Sequence, residues 1–278
     1  MNDRHYANPN LLFAPRPLSE RLGEDRLLVI DVRPTADYVR GHLPGAVHFD
    51  LFGISLNDTR PDPLAAFMWM ISYLMAGRGV DYEKTVIFYE ENSGFKSSRG
   101  FWFLEYFGHE DVHVLDGGIG AWKAAGLPLS TDPVDTKSTK FVADHPITDR
   151  LASADDILAR LGEPDVCILD TRSDDEYTGK LVRAKRGGAI PGAVHIEWTK
   201  NLDEEGCYKP AADLKAMYEG QGVTSEKLII PYCQGGYRSA HAYLALRLIG
   251  YPNVRNYIGS WKEWGDHEEL PLEVPTAP

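Results

Sequence analysis

The chain holds three cysteines, and one of them stands where sulfur chemistry could be done. An apolar run at 228–232 leads into Cys233-Gln234-Gly235-Gly236-Tyr237-Arg238, and a helical pattern begins at about Ser239. The order is strand, tight loop, helix start, with a thiol at the first loop position. Two adjacent glycines let the backbone curl where side chains would clash. A curled loop turns successive N–H groups inward and forms an anion-binding nest. The helix start adds unpaired N–H donors and the positive end of its dipole. Arg238 closes the loop with a permanent charge. All of these favour thiolate over thiol, and the thiolate is the nucleophile. Cys233 is therefore expected to be catalytic, with a depressed pKa. Gln234, Gly235, Gly236, Tyr237 and Arg238 are expected to cradle an anion carried on its sulfur or bound beside it.

The elements that position this loop occur twice. Pro44-Gly45-Ala46-Val47-His48 recurs as Pro191-Gly192-Ala193-Val194-His195, 147 positions later. Residues 28–33 match 167–172, and residues 86–122 match 228–264 at a constant offset of 142 without a gap. In the last block Gly94, Ser97, Leu104, Gly108, Gly117 and Trp122 each meet an identical residue. Two copies of one unit follow from this, at 10–130 and 151–273. They are joined by a stretch at 131–150 that is rich in Ser, Thr, Asp, Pro and Lys and reads as a linker.

Each copy alternates short β-branched runs with longer amphipathic ones. The short runs lie at 27–32, 86–89 and 112–115, then at 166–170, 228–232 and 254–258. They read as buried strands of a parallel sheet. Helical candidates lie at 153–161, 211–221 and 239–249. Strand–helix alternation makes each copy an α/β unit.

The repeat also supplies an internal control. At the constant offset, Glu91 meets Cys233, and the first copy's loop reads Glu91-Asn92-Ser93-Gly94-Phe95-Lys96. A carboxylate cannot do thiolate chemistry and repels a second anion. The first copy is therefore expected to be inactive and to cover or shape the site of the second. His48 and His195, Asp31 and Asp170, and Trp122 and Trp264 occupy matching places in both copies, so they are expected to be structural. Cys167 falls in a buried run and reads as core, and Cys207 in a polar stretch reads as an exposed bystander. The second copy has eight additional residues between Tyr177 and Pro191, including Arg183, Lys185 and Arg186. Of these, Arg186 is the candidate contact to a donor anion.

Composition narrows the partners. The formal net charge is −12, which argues against nucleic acid and against an anionic membrane surface. No run of 18 uncharged apolar residues is present, so no membrane span is expected. Met1 to Asn10 is polar and lacks the apolar region of a secretory signal. An odd, sparse set of cysteines fits a reducing compartment, and a cytoplasmic protein is expected. There is no Cys-x-x-Cys or Cys/His cluster, so no metal site is expected. A chain that already pairs two copies of itself is expected to be a monomer.

The tandem α/β repeats, the paired Pro-Gly-Ala-Val-His segments and the six-residue loop from Cys233 to Arg238 resemble the two-domain rhodanese family. Gly259-Ser260-Trp261-Lys262-Glu263-Trp264-Gly265 is similar to that family's C-terminal signature. The resemblance spans about residues 10–272. It implies two rhodanese-like domains, each a parallel sheet flanked by helices on both faces. It further implies transfer of sulfane sulfur from a small anionic donor such as thiosulfate to a thiophilic acceptor such as cyanide, through a persulfide on Cys233. No metal or organic cofactor is implied. Related cysteine phosphatases have five residues between Cys and Arg, whereas here there are four, Gln234 to Tyr237, which suits a sulfur anion better than phosphate. Mercaptopyruvate enzymes of the family typically carry Cys-Gly-Ser-Gly-Val-Thr, from which this loop departs, and thiosulfate is the expected donor. Some thiosulfate enzymes carry a Lys within the loop, where this chain has Tyr237. Transfer from 3-mercaptopyruvate and service as a persulfide carrier for a protein partner stand as the alternatives.

Overall fold

The computed structural model describes residues 4–276, so Met1 to Asp3 of the polar N-terminal stretch lie outside the described residues. The strands are β1 (Leu12–Phe13), β2 (Leu27–Asp31), β3 (Val47–His48), β4 (Thr85–Tyr89) and β5 (Val112–Leu115), then β6 (Leu151–Ala152), β7 (Val166–Asp170), β8 (Val194–His195), β9 (Leu228–Tyr232) and β10 (Asn256–Tyr257). The first copy's helices are α1 (Pro15–Arg21), α2 (Thr35–Arg40), α3 (Pro61–Ala76), α4 (Phe95–Tyr106) and α5 (Gly118–Ala124). The second copy repeats them as α6 (Ala154–Ala159), α7 (Asp174–Tyr177), α8 (Ala211–Glu219), α9 (Arg238–Leu248) and α10 (Ser260–Trp264).

The first copy forms one parallel sheet in the order β1-β5-β4-β2-β3. The second uses the same order, split into β8-β7-β9 and β10-β6, with a parallel bridge from Ile229 to Val254 between them. The split shortens the strand expected at 254–258, and Pro231 is the cause. Ile229 accepts from the Arg255 amide and donates to Asn253 O, but Pro231, two residues on, has no N–H to continue the ladder. In the first copy Phe88 fills that place, and pairing runs on from Val86 to Phe88.

Side chains alternate across each sheet. Leu28, Ile30, Val86, Phe88, Val112 and Val114 point into a core shared with α3 and α4. Val29, Ile87, Tyr89 and Leu115 point the other way, toward Leu18 of α1 and Trp122 of α5. In the second copy Cys167, Leu169 and Ile229 enter that same large core with α8 and α9, and Ile168, Ile230 and Tyr232 face Ile157 of α6 and the tryptophans of α10. Each sheet thus carries helices on both faces. One core runs through both copies, because α4 packs directly on α9.

The stretch at 131–150 is less loose than its composition implies. It straps the first copy: Thr139 N donates to Ala76 O, Ile147 N donates to Tyr106 O, and buried Phe141 packs on Tyr82. No helix among the described residues is long and apolar enough to cross a membrane.

Candidate active site

β9 is a central strand, and Cys233 follows it at the C-terminal end of the sheet, where ligands bind in open α/β folds. Cys233 is only 1% exposed and lies on the floor of a cavity of about 680 Å³. Burial alone raises a thiol's pKa. Here it is outweighed by the Arg238 charge, by the amides of Ser239 and Gly235 and by the Ser239 hydroxyl, and the Cys233 thiol is held below its ordinary value. The Ser239 hydroxyl is buried beside the sulfur with no hydrogen-bond partner of its own among the described residues, which leaves it available to the thiolate. The helix start therefore holds negative charge on sulfur, as the strand–loop–helix order requires.

The loop is braced from behind by Ser260, whose hydroxyl accepts the amides of Cys233 and Gly236, both at 3.1 Å, and donates to Tyr257 O. This corrects one expectation: the Gly236 N–H faces Ser260 and not the anion. Gly236 serves through its backbone instead. Its φ is +82°, and a Cβ there would meet Ile258 O at 2.8 Å. Gln234 lines the cavity, but its side-chain amide donates to Arg183 O. Among the loop residues after Cys233, Gly235 turns its amide to the sulfur. Tyr237 forms a wall, and its hydroxyl donates to Leu51 O and Ile54 O of the first copy.

Arg238 faces the sulfur and is fixed by Glu176 of α7, in a two-pronged ion pair at 2.5 and 2.9 Å. Glu176 is buried, yet Arg238 and the Ser173 capping bonds hold its carboxyl down to about 2. Arg186, expected to meet the donor, does not line the cavity. Its guanidinium donates to the carbonyls of Trp264, Gly265, His267, Glu268 and Leu270, bonds that tie the C-terminal segment to the insert. A fork with five donors is well suited to a cluster of chain-end carbonyls, and these bonds occupy it. Arg183 of the same basic run lines the cavity in its place, 3.3 Å from Glu176, and Lys262 adds another cation.

Several residues of the site were not singled out by sequence. Ser173-x-x-Glu176 carried a capping-box signal that could have drawn attention to Glu176. Ser239, Ser260 and Lys262 lay beside or within motifs already noted. Phe52, Gly53, Ser55 and Phe95 come from the first copy and wall the cavity, with no local signal to mark them. The remaining cysteines are set apart from this chemistry. Cys167 is buried and pushed up to about 11. Cys207 is half-buried, not exposed, and burial beside Asp116 pushes it up to about 12. His48 and His195 play one structural role, each bonding the carbonyl of the arginine that ends the preceding strand turn, Arg33 or Arg172. Asp31 and Asp170 likewise each hold that arginine and accept the hydroxyl of Tyr89 or Tyr232.

The first copy's cradle shows that Glu90, and not Glu91, stands in the place of Cys233. Strand pairing sets Asp31 opposite Tyr89 and Asp170 opposite Tyr232. Ile119 N donates to Glu90 O as Trp261 N donates to Cys233 O. The offset is therefore 143 in the strand and 142 from Ser97 onward, so the first copy's loop is one residue longer and the gapless match fails there. Glu90 is buried, and its carboxylate accepts the amides of Lys96 at 2.6 Å and Ser97 at 3.0 Å and the Ser97 hydroxyl at 3.3 Å. Burial pushes its pKa up to about 6 against those bonds. Glu91 points outward, its side chain 68% exposed. Among the described residues no group of His, Cys, Asp and Glu could hold a metal ion.

The rhodanese-like domain matches the chain twice, at residues 14–125 and 153–267. A thiosulfate sulfurtransferase of Azotobacter vinelandii is 35% identical over 272 residues, covering 97% of this chain and 99% of that protein. A thiosulfate sulfurtransferase of Pseudomonas aeruginosa is 33% identical, covering 95% of this chain and 97% of that one. The sulfur carrier protein TtuD of Thermus thermophilus is 32% identical, covering 96% and 98%. An anaerobic ergothioneine biosynthesis enzyme from Chlorobium limicola, solved with trimethyl histidine, shares the fold with a TM-score of 0.84 at 24% identity over 96% of this chain and 71% of its own. The chain belongs to the rhodanese-like family, with two such domains in tandem, and is a sulfurtransferase by kinship.

Proposed function

We propose that the chain is a thiosulfate sulfurtransferase that works through a persulfide on Cys233. The observation that carries the reading is the depressed Cys233 thiol in a cavity whose charged lining is three cations, Arg183, Arg238 and Lys262, against one carboxylate, Asp266. Thiosulfate is a dianion, and Arg183, Arg238 and Lys262 would draw it in despite the acidic chain as a whole. The Cys233 thiolate attacks the outer sulfur of thiosulfate. A sulfur–sulfur bond to Cys233 forms, the bond to the sulfonate sulfur breaks, and sulfite leaves with the electron pair. The persulfide keeps one negative charge, held by the amides of Gly235 and Ser239 and by Arg238. Cyanide or a thiolate then attacks the outer sulfur and returns Cys233 as thiolate. The scheme is a double displacement and gives ping-pong kinetics. It calls for no metal or organic cofactor. A reducing compartment such as the cytoplasm keeps Cys233 available, and the core shared by both copies lets one chain act alone.

The test is to incubate the protein with thiosulfate, remove the donor, and weigh it intact beside Cys233→Ser. A gain of one sulfur atom, absent in the variant and reversed by cyanide, is expected. No gain with thiosulfate but a gain with 3-mercaptopyruvate would reassign the donor. A second reading has its own support. The cavity, at about 680 Å³, is far larger than thiosulfate needs, and a relative of nearly full coverage is a sulfur carrier. On that reading Cys233 loads but cyanide turnover is negligible, and sulfur passes to a protein acceptor.

A further inference from the structure

Arg99 lies on α4 of the cysteine-free copy and is fully buried. It makes no ion pair. Nη1 donates to Ile54 O, while Nε and Nη2 have no hydrogen-bond partner. The guanidinium instead lies over the ring of Tyr237, 3.8 Å from its centroid. Tyr237 belongs to the Cys233 loop and immediately precedes α9. An arginine does not shed its proton, and a buried charge without a counter-ion costs several kcal/mol. The ionisable groups near enough to offset that burial are Tyr237 and Cys233.

The second copy provides the control. Ser97 and Ser239 do the same work in the two cradles, so two residues on, Arg99 corresponds to His241 of α9. His241 is buried too and reaches across to the first copy's loop, its Nε2 2.8 Å from Ser93 O and its Nδ1 3.3 Å from Asn201 Nδ2. Those partners fit the neutral ring with its proton on Nε2, and burial pushes its pKa down to about 3. Each helix therefore props the other copy's loop. The loop that already holds the Glu90 carboxylate rests on a neutral histidine, and the loop that holds a thiol rests on a permanent cation.

We propose that Arg99 is a positioning residue for Cys233: the cysteine-free copy supplies, through the face of Tyr237, a buried cation that finds its counter-charge only when Cys233 is a thiolate or a persulfide. The same guanidinium and the Tyr237 hydroxyl both hold Ile54 O, so the wall formed by Phe52, Gly53 and Ser55 is fixed by the group that tunes the sulfur. The persulfide half of this inference rests on the sulfur-transfer reading, and the thiolate half does not.

The test reads the thiolate alone, without any sulfur donor. The rate of Cys233 alkylation by iodoacetamide, followed by intact mass, is measured against pH for the wild type, Arg99→Gln and Arg99→Lys. Arg99→Gln keeps a donor for Ile54 O and loses the charge. Its midpoint is expected to rise by about one pH unit, so that alkylation below the midpoint slows about tenfold. Arg99→Lys is expected to keep the wild-type midpoint. An unchanged midpoint in Arg99→Gln overturns the proposal. An equal rise in Arg99→Lys also overturns it, because shape and not charge would then be at work. If Arg99→Gln does not fold, Arg99→Met takes its place in the same comparison.

Discussion

The ends of β4 and β9 hold the same scaffold with different contents. In both, a strand runs into a tight loop and a helix whose first amides and a serine hydroxyl point at one atom group. At β4 that group is the Glu90 carboxylate, and the cradle is filled by its own chain. At β9 it is the Cys233 sulfur, and the cradle opens on a cavity. The difference comes down to one additional loop residue, a carboxylate for a thiol, and Lys96 for Arg238 at the loop's end. The Ser97 and Ser239 donors are common to both copies, so donors alone do not make a reactive site. Reactivity requires a first residue that can gain and lose a bond, and a cation turned toward it. Lys96 lies over Phe52, its ammonium 4.9 Å from that ring's centroid and, among the described residues, without an ion-pair partner to lock it, whereas Arg238 is locked toward the sulfur by Glu176.

The sharpest way to break this comparison is to remove both loop-end cations. Arg238→Met leaves Glu176 buried without its two-pronged partner and should cost about 3 kcal/mol in denaturant unfolding. It should also raise the alkylation midpoint of Cys233, while Lys96→Met should change neither. The stability part has a pH signature. The Glu176 carboxyl is held down to about 2, so its contribution is complete above the ordinary carboxylate range and is lost as pH falls from about 4.5 toward 2. If Lys96→Met matched Arg238→Met in either measurement, the two loops would not differ as argued.

A smaller effect is expected in the filled cradle. Glu90 titrates near 6, above its ordinary value, so its ionised form is disfavoured by folding. The stability it contributes is complete below about 4.5 and is lost as pH rises through about 6. Glu90→Gln keeps an oxygen for the three donors and has no charge to bury. Relative to the wild type it should gain about 1–2 kcal/mol between pH 5 and pH 8. Thermal unfolding at the two pH values checks this, and a difference independent of pH would show that Glu90 is ionised without penalty.

The smallest effect on activity is expected at Arg186. Arg186→Ala should leave the KM for thiosulfate unchanged and lower Tm, since its bonds go to five carbonyls of the C-terminal segment. A raised KM at unchanged Tm would return Arg186 to the donor site.

The sequence by itself determined the repeat and the alternation of strands and helices, and it marked Cys233 as the candidate for chemistry, because each is written in local pattern. A β-branched run, a glycine pair and a helix start lie side by side in the chain, and their physics does not depend on distant partners. Tertiary structure alone decided the rest. The one-residue insertion that puts Glu90 in place of Glu91 leaves the flanking identities intact, and only strand pairing and the Ile119 and Trp261 bonds reveal it. Arg186 and Arg183 are three residues apart in one basic run, and which of them faces the cavity depends on where the carbonyls of 264–270 come to rest. Arg99, Phe52 and Phe95 belong to the copy without cysteine. They enter the story only because α4 packs on α9, and that contact joins residues more than a hundred positions apart.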